Sequence, residues 1–177
     1  MSRKHIFILI AAVILLPVAY YLVSPLWRVK VADELSPLNE EFERQMQDIK
    51  DVVMVKDDPM PSVSPAASPV QVPTPRILAT ADFVSHAHEV TGKALLIQNG
   101  ETKTLRFENF QTLNGPNLHI YLSADLEAKD FIDLGALRAT KGNVNYAVEA
   151  RIDASKYKHV LIWCVPFRVL FGSAELR

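Results

Sequence analysis

Cysteine is nearly absent from this chain: Cys164 is the only one among 177 residues. A single thiol cannot close a disulfide within the chain. Four roles stay open for it: a packed small side chain, a ligand to a cofactor, a redox nucleophile, or one half of a bridge to another molecule. Cys164 lies in the most apolar stretch outside the N-terminus, residues 159–167. Because an apolar environment disfavours a thiolate, this stretch by itself favours a buried and unreactive side chain.

Sequence signatures of common catalytic sites are also missing. The chain has no zinc-binding His-Glu-x-x-His, no glycine-rich phosphate loop and no serine nucleophile elbow. Residues 77–177 carry eleven Lys and Arg against eleven Asp and Glu, so their formal net charge is zero. A segment without a basic patch is not expected to bind nucleic acid. The sequence therefore assigns no enzymatic reaction, although it leaves room for a redox accessory role.

Metal ligands are few in residues 77–177. A blue-copper site takes two His and one Cys, often with a weak axial Met. His86 and His88 would share one face of a strand, and Cys164 could meet them across a β-sandwich. Copper is nevertheless disfavoured, because no His follows Cys164 and the last Met of the chain is Met60. The missing Met also excludes a Met-ligated haem from this segment, whereas haem held by His or by thiolate stays open.

A long uncharged run, residues 6–23, follows the basic leader Arg3-Lys4-His5. Its length is close to the ~20 residues that a helix needs to cross a bilayer. No pair of small residues spaced for signal peptidase follows it, and aromatic side chains, including Trp27, cluster at its outer end. The sequence predicts an uncleaved transmembrane anchor over residues 1–28. We expect a single-pass protein of the cell membrane, with a cytoplasmic N-terminus and an extracytoplasmic C-terminal domain.

Two connecting segments follow the predicted anchor. In residues 29–56, Ser36 and Pro37 are typical of a helix start, and an apolar stripe continues through Leu38, Phe42, Met46, Ile49 and Val53. This juxtamembrane amphipathic helix is short for a coiled coil, so its stripe is expected to rest on the membrane or on the C-terminal domain. Self-association into a homo-oligomer is the alternative. Residues 57–76 contain six prolines, which predict a semi-rigid linker.

The remaining residues, 77–177, have the pattern of an all-β head domain. Short apolar runs alternate with turn residues such as Asn99-Gly100 and Asn114-Gly115-Pro116. About seven strands at such close spacing predict a sandwich or a barrel-like fold. Residues 160–165 are apolar on both faces and are expected to form a central strand. The seven candidate strands are 90–97, 104–110, 118–123, 132–137, 145–150, 159–165 and 169–176.

Several short motifs of the head occur together in a specific order. They are His88-Glu89-Val90-Thr91-Gly92-Lys93-Ala94, Leu105-x-Phe107-x-Asn109-Phe110, Asn114-Gly115-Pro116-Asn117-Leu118, Ile132-Asp133-Leu134-Gly135-x-Leu137, Lys141-Gly142, and the closing Val160-x-Ile162-Trp163-Cys164-x-x-Phe167-x-Val169-x-Phe171-Gly172-x-Ala174. In this order and spacing the head resembles the electron-transfer DM-thirteen domain, which is often found beside DOMON domains. One departure is Asn117, where the family often carries Asp.

The resemblance implies a β-rich extracytoplasmic domain whose single cysteine, Cys164, works in redox chemistry as a thiol or as a cofactor ligand. We expect Trp163 and Phe167 to shape a dry pocket around it. Haem is the cofactor left open by this resemblance, and the partner would be another redox protein. The alternative is a binding or adhesion module at the cell surface, with a cell-surface protein as partner and with Cys164 as part of the core.

Overall fold

Strands with one apolar face stack into two five-stranded sheets in this computed structural model, which describes residues 3–24, 28–39 and 74–177. The predicted Pro-rich linker and the greater part of the predicted amphipathic helix lie outside the described residues. The elements in the described ranges are α1 (Arg3–Val23), β1 (Val31–Asp33), β2 (Arg76–Asp82), β3 (Val84–Ser85), β4 (Val90–Asn99), β5 (Thr102–Thr112), β6 (Leu118–Ser123), β7 (Phe131–Ala136), β8 (Lys141–Val148), β9 (His159–Cys164) and β10 (Val169–Glu175).

The two sheets form a β-sandwich. Sheet A has the strand order β1-β8-β5-β4-β2, and sheet B has the order β3-β10-β9-β6-β7. Strand pairs are antiparallel throughout, except that β1 runs parallel to β8. Leu96, Leu105 and Phe107 from sheet A meet Ile120 and Ile162 from sheet B in the core, where all five side chains are fully buried. The all-β head predicted from the sequence is confirmed, and β9 is a central strand of sheet B.

Ten strands are present in the described residues, more than the seven predicted. The unpredicted strands are β1, β2 and β3, which add to the edges of the sheets. β1 consists of only three residues and lies inside residues 29–56, which were predicted to be helical. Such a short strand has no periodicity of its own, and it exists because β8 offers it an open edge. Farther along, residues 37–39 are helical, and the Leu38 N–H donates to Ser36 Oγ at 3.4 Å.

The predicted transmembrane helix is wrong. Within residues 3–24, 28–39 and 74–177, no helix is both long enough and apolar enough to cross a membrane. The first turn of α1 is basic, because the helix begins at Arg3-Lys4-His5. The apolar part that follows, residues 6–23, rises only about 27 Å at ~1.5 Å per residue, whereas the hydrocarbon core of a bilayer is about 30 Å thick. The membrane partner and the extracytoplasmic location stay predictions.

Candidate functional site

Cys164 is the last residue of β9, and its side chain belongs to the core between the two sheets. Only 1% of the residue is exposed. Its backbone lies between Leu118 of β6 and Val169 of β10 in the register of sheet B. The Cys164 Sγ–H donates to the carbonyl oxygen of Pro116 at 3.3 Å. The thiol is thus held at the end of the central strand, facing the loop that connects β5 to β6.

A small cavity of about 270 Å³ lies beside this thiol. Three parts of the fold meet around it: the segment between β3 and β4, the loop after β5, and the hairpin from β9 to β10. Its walls are mostly apolar or backbone, and they consist of His88, Asn114, Gly115, Pro116, Cys164, Phe167, Val169 and Phe171. Cys164 therefore borders a space that a small molecule could enter, although its own surface is almost entirely covered.

The three predicted site residues are not all brought together. Phe167 lines the cavity with Cys164 and is 58% exposed, so it forms part of the rim. Trp163 lies on the opposite face of sheet B, because consecutive residues of a strand point to opposite faces. There the Trp163 ring stacks with Tyr121 at 6.3 Å between ring centroids, and Tyr121 stacks with Phe131 at 4.1 Å. Trp163 is therefore absent from the cavity wall beside Cys164.

His88 and Phe171 are cavity residues that the sequence did not assign to a pocket. Their ring centroids are 4.0 Å apart, so the imidazole packs directly on the phenyl ring. His88 was considered from the sequence only as a metal ligand paired with His86. The imidazole of His86 instead contacts Ser173, with Nε2 2.9 Å from Oγ. The motifs quoted from the sequence contained both residues, but nothing in their spacing indicated that they meet Cys164.

Histidine side chains are dispersed in the described parts of the chain. His119 pairs with Trp163 in the register of sheet B, so its side chain lies on the face opposite to that of Cys164. Its Nδ1 is 2.8 Å from Asp133 Oδ2 and its Nε2 is 3.2 Å from Asn117 Oδ1. Among the described residues, no group of three or more His, Cys, Asp or Glu side chains is arranged to hold a metal ion. His86, His88 and Cys164 are thus not assembled into the two-His, one-Cys set that copper requires.

Haem does not fit the cavity beside Cys164. Sites that enclose drug-sized ligands have volumes of roughly 300–1,000 Å³, and the haem macrocycle is a large ligand. The cavity measures only about 270 Å³. Cys164 Sγ also points its proton at the Pro116 carbonyl. We therefore derive no chemistry through haem at this position.

Burial raises the pKa of the Cys164 thiol above its ordinary value, because the core cannot solvate a thiolate. A backbone hydrogen bond from Phe167 lowers the pKa, but its effect is smaller than that of burial. The sulfur therefore keeps its proton at neutral pH. The protonated form is also the one that can donate to Pro116.

A pH profile of alkylation tests this raised pKa. With iodoacetamide, we expect the rate to rise with pH and to reach half of its maximum at a higher pH for the folded protein than for the urea-unfolded chain, whose midpoint lies near the ordinary cysteine pKa of about 8.5. Since the folded state holds the proton more tightly, stability is also expected to fall as the pH rises above that value. A folded-state profile with its midpoint at or below that of the unfolded chain would contradict the effect of burial.

The fold and the cavity together define a class: a two-sheet β-sandwich whose single thiol borders a small apolar cavity at one end. The family model described as Electron transfer DM13 matches residues 82–176, which is more than half of the chain, and the chain belongs to this family. The match includes β3 to β10 and Cys164, but not α1 or β1. The resemblance found in the sequence is confirmed, and it supports a redox or electron-transfer module. No curated protein and no solved structure gives a significant match to the chain.

Proposed function

We propose that Cys164 is the group that exchanges electrons in this redox module. One observation carries the proposal: the only thiol of the chain borders a cavity of about 270 Å³. A cysteine that served packing alone would be expected to be enclosed by side chains on every side. The cavity has room for a small sulfur compound, and its apolar walls would keep bulk water from the sulfur.

The chemistry that balances with one cysteine is exchange with a small disulfide. Cys164 loses its proton, and the thiolate attacks one sulfur of the disulfide. The sulfur–sulfur bond of the small molecule breaks, a new one forms to Cys164, and the released thiolate takes up a proton. Cys164 is oxidised and the departing sulfur is reduced. Because the chain has no second cysteine to resolve the mixed disulfide, an external thiol must restore Cys164.

The raised pKa of the thiol has a direct consequence for this exchange. At neutral pH only a small fraction of Cys164 is thiolate, so the reaction needs a proton acceptor inside the cavity. His88 is the one other side chain lining the cavity, among the described residues, whose ring nitrogens can accept a proton. We assign it the role of accepting the proton as a small disulfide enters.

Disulfide exchange can be measured directly by intact mass. When the folded protein is incubated with cystamine or with glutathione disulfide, we expect one adduct per chain, removed again by excess reduced thiol. The Cys164→Ser variant should give no adduct. A matched control places a thiol on the surface, Ser155→Cys in the Cys164→Ser background, and confirms that the reagent is active. An adduct on Cys164 that forms only after unfolding would refute the redox role.

A binding or adhesion module with a structural cysteine is the second candidate. The observations that favour it are the 1% exposure of Cys164 and its hydrogen bond to Pro116. In that case Cys164→Ala would retain partner binding and would change stability only modestly. The two candidates differ in the disulfide experiment, because a purely structural cysteine would stay unmodified in the folded protein. The extracytoplasmic location of the module and the identity of its redox or cell-surface partner stay predictions in both cases.

A further inference from the structure

Residues 28–36, here called the N-terminal strap, lie along the outer edge of sheet A. Within the strap, β1 pairs in parallel with β8, with Ala32 opposite Gly142. Backbone bonds extend the pairing on both sides. The Lys30 carbonyl accepts from the Thr140 N–H at 2.8 Å, and the Glu34 N–H donates to the Asn143 carbonyl at 3.0 Å. The strap is thus hydrogen-bonded to the head from Lys30 to Glu34.

Side chains of the head also hold the strap. Arg106 is only 4% exposed, and its Nη1 donates to the carbonyl oxygens of Glu34 at 3.0 Å and Leu35 at 3.2 Å. The Glu34 carboxylate accepts from the Asn145 N–H at 2.8 Å and pairs with Arg138 Nη2 at 3.0 Å. A buried guanidinium without acceptors would be costly, so the strap carbonyls are part of what makes the burial of Arg106 tolerable.

The backbone of β8 allows the strap to approach it closely. Gly142 has a φ of 109°, and a Cβ at that position would overlap the carbonyl oxygen of Ala32. Thr140, which is 3% exposed, accepts from the Lys30 N–H through Oγ1 at 2.9 Å. A hydroxyl that bonds Lys30 and a glycine opposite Ala32 make this edge of β8 complementary to the strap.

The first residue of the strap touches the wall of the Cys164 cavity. The Arg28 carbonyl accepts from Asn114 Nδ2 at 3.1 Å, and Asn114 Oδ1 accepts from the Gly115 N–H at 3.0 Å. The next residue, Pro116, offers the carbonyl that accepts the Cys164 thiol at 3.3 Å. Residues 114–116 line the cavity. Hydrogen bonds at both ends of residues 114–116, joined by the peptide chain between them, therefore connect the strap to the sulfur.

We propose that the N-terminal strap controls access to Cys164. With the strap docked, Asn114 is tied down and the loop of residues 114–116 closes one wall over the thiol. When the strap leaves β8, the loop loses its tie to Arg28 and small thiol-reactive molecules reach the sulfur. This inference rests on the proposed redox function only in explaining why access to Cys164 matters. Access itself is measured with an alkylating agent, so it can fail or succeed independently of disulfide exchange.

The test uses the full chain and the variant E34A/T140V, which removes the carboxylate and the hydroxyl that hold the strap. Two quantities are measured at pH 8: amide hydrogen exchange of residues 140–145, and the rate at which iodoacetamide modifies Cys164. We expect faster exchange along β8 together with at least a tenfold rise in the modification rate. Near-ultraviolet circular dichroism shows whether the sandwich stays folded. The control E149A removes a carboxylate that pairs with Arg151 and does not touch the strap, and it should change neither quantity.

Two further variants keep the proposal falsifiable if E34A/T140V unfolds the head. Asn114→Ala removes the hydrogen bond to the Arg28 carbonyl, together with the contact of Oδ1 with the Gly115 N–H, and leaves the pairing of β1 with β8 in place. Modification should therefore accelerate while exchange along β8 stays slow. Gly142→Ala displaces the strap by overlap with Ala32 and should accelerate both. The proposal would be overturned if amide hydrogen exchange along β8 became faster while the rate of Cys164 modification did not change. An unchanged modification rate in Asn114→Ala would overturn it as well. A strap that controls access while Cys164 forms no mixed disulfide would instead refute the proposed function alone.

Discussion

Replacing Gly92 with alanine is expected to lower the free energy of unfolding by about 4 kcal/mol. Gly92 lies at the bulge between β4 and β5, where the register shifts between Thr91 and Lys93. Its φ of 110° is strained for any residue with a side chain, at a cost of about 1–3 kcal/mol. A Cβ there would also lie 2.7 Å from the Glu108 carbonyl oxygen and 2.7 Å from Phe110 Cα. Both atoms are backbone, so they can move only if the strand moves, which adds about 1–3 kcal/mol.

Urea unfolding followed by tryptophan fluorescence measures this loss, and Gly135→Ala is the matched control. Gly135 has a similar φ of 101°, but a Cβ at that position would meet no atom within 4 Å. The control should therefore lose only the backbone cost of about 1–3 kcal/mol. Equal losses in the two variants would show that the close approach of β5 to Gly92 contributes nothing, and would contradict the prediction.

Truncating Phe107 to alanine is expected to cost about 3–5 kcal/mol, the usual range for a buried phenylalanine. Phe107 is 0% exposed on β5, in the middle of the sandwich. Its ring centroid lies 5.0 Å from that of Phe83, 5.0 Å from that of Phe110 and 5.3 Å from that of Tyr146. Removing it leaves a cavity among three rings that cannot all move inwards. The measurement is the shift in the urea midpoint at an unchanged slope.

Phe167→Ala is the control for Phe107→Ala, because it removes the same ring from a site that is 58% exposed. We expect a loss of less than about 1 kcal/mol, as for most surface substitutions. The same variant opens the rim of the Cys164 cavity, and its effect on thiol modification can be read from the same sample. A loss for Phe107→Ala no larger than that for Phe167→Ala would mean that the aromatic cluster does not anchor the sandwich.

Part of the fold could be predicted because it depends on residues that are close together in the sequence. Turn residues between short apolar runs predicted an all-β head, and the run at residues 160–165 predicted the central strand β9. The same run is apolar on both faces, so it carried no information on which face meets the core. Trp163 was therefore grouped with Cys164, although neighbours along a strand point to opposite faces. The transmembrane anchor was also wrong, because no helix in the described part of the chain is both long enough and apolar enough to cross a membrane.

By itself the sequence determined the family, the β architecture and the presence of one thiol, because residue order and periodicity suffice for all three. Only the tertiary structure decided what surrounds that thiol. The cavity joins His88 to Phe171, and the strap joins Lys30 to Thr140, which are 110 residues apart. β1 becomes a strand only because β8 offers an unpaired edge and a glycine that lets Ala32 approach. Contacts of this kind leave no local pattern, since each partner's role depends on a residue that only the folded chain brings near.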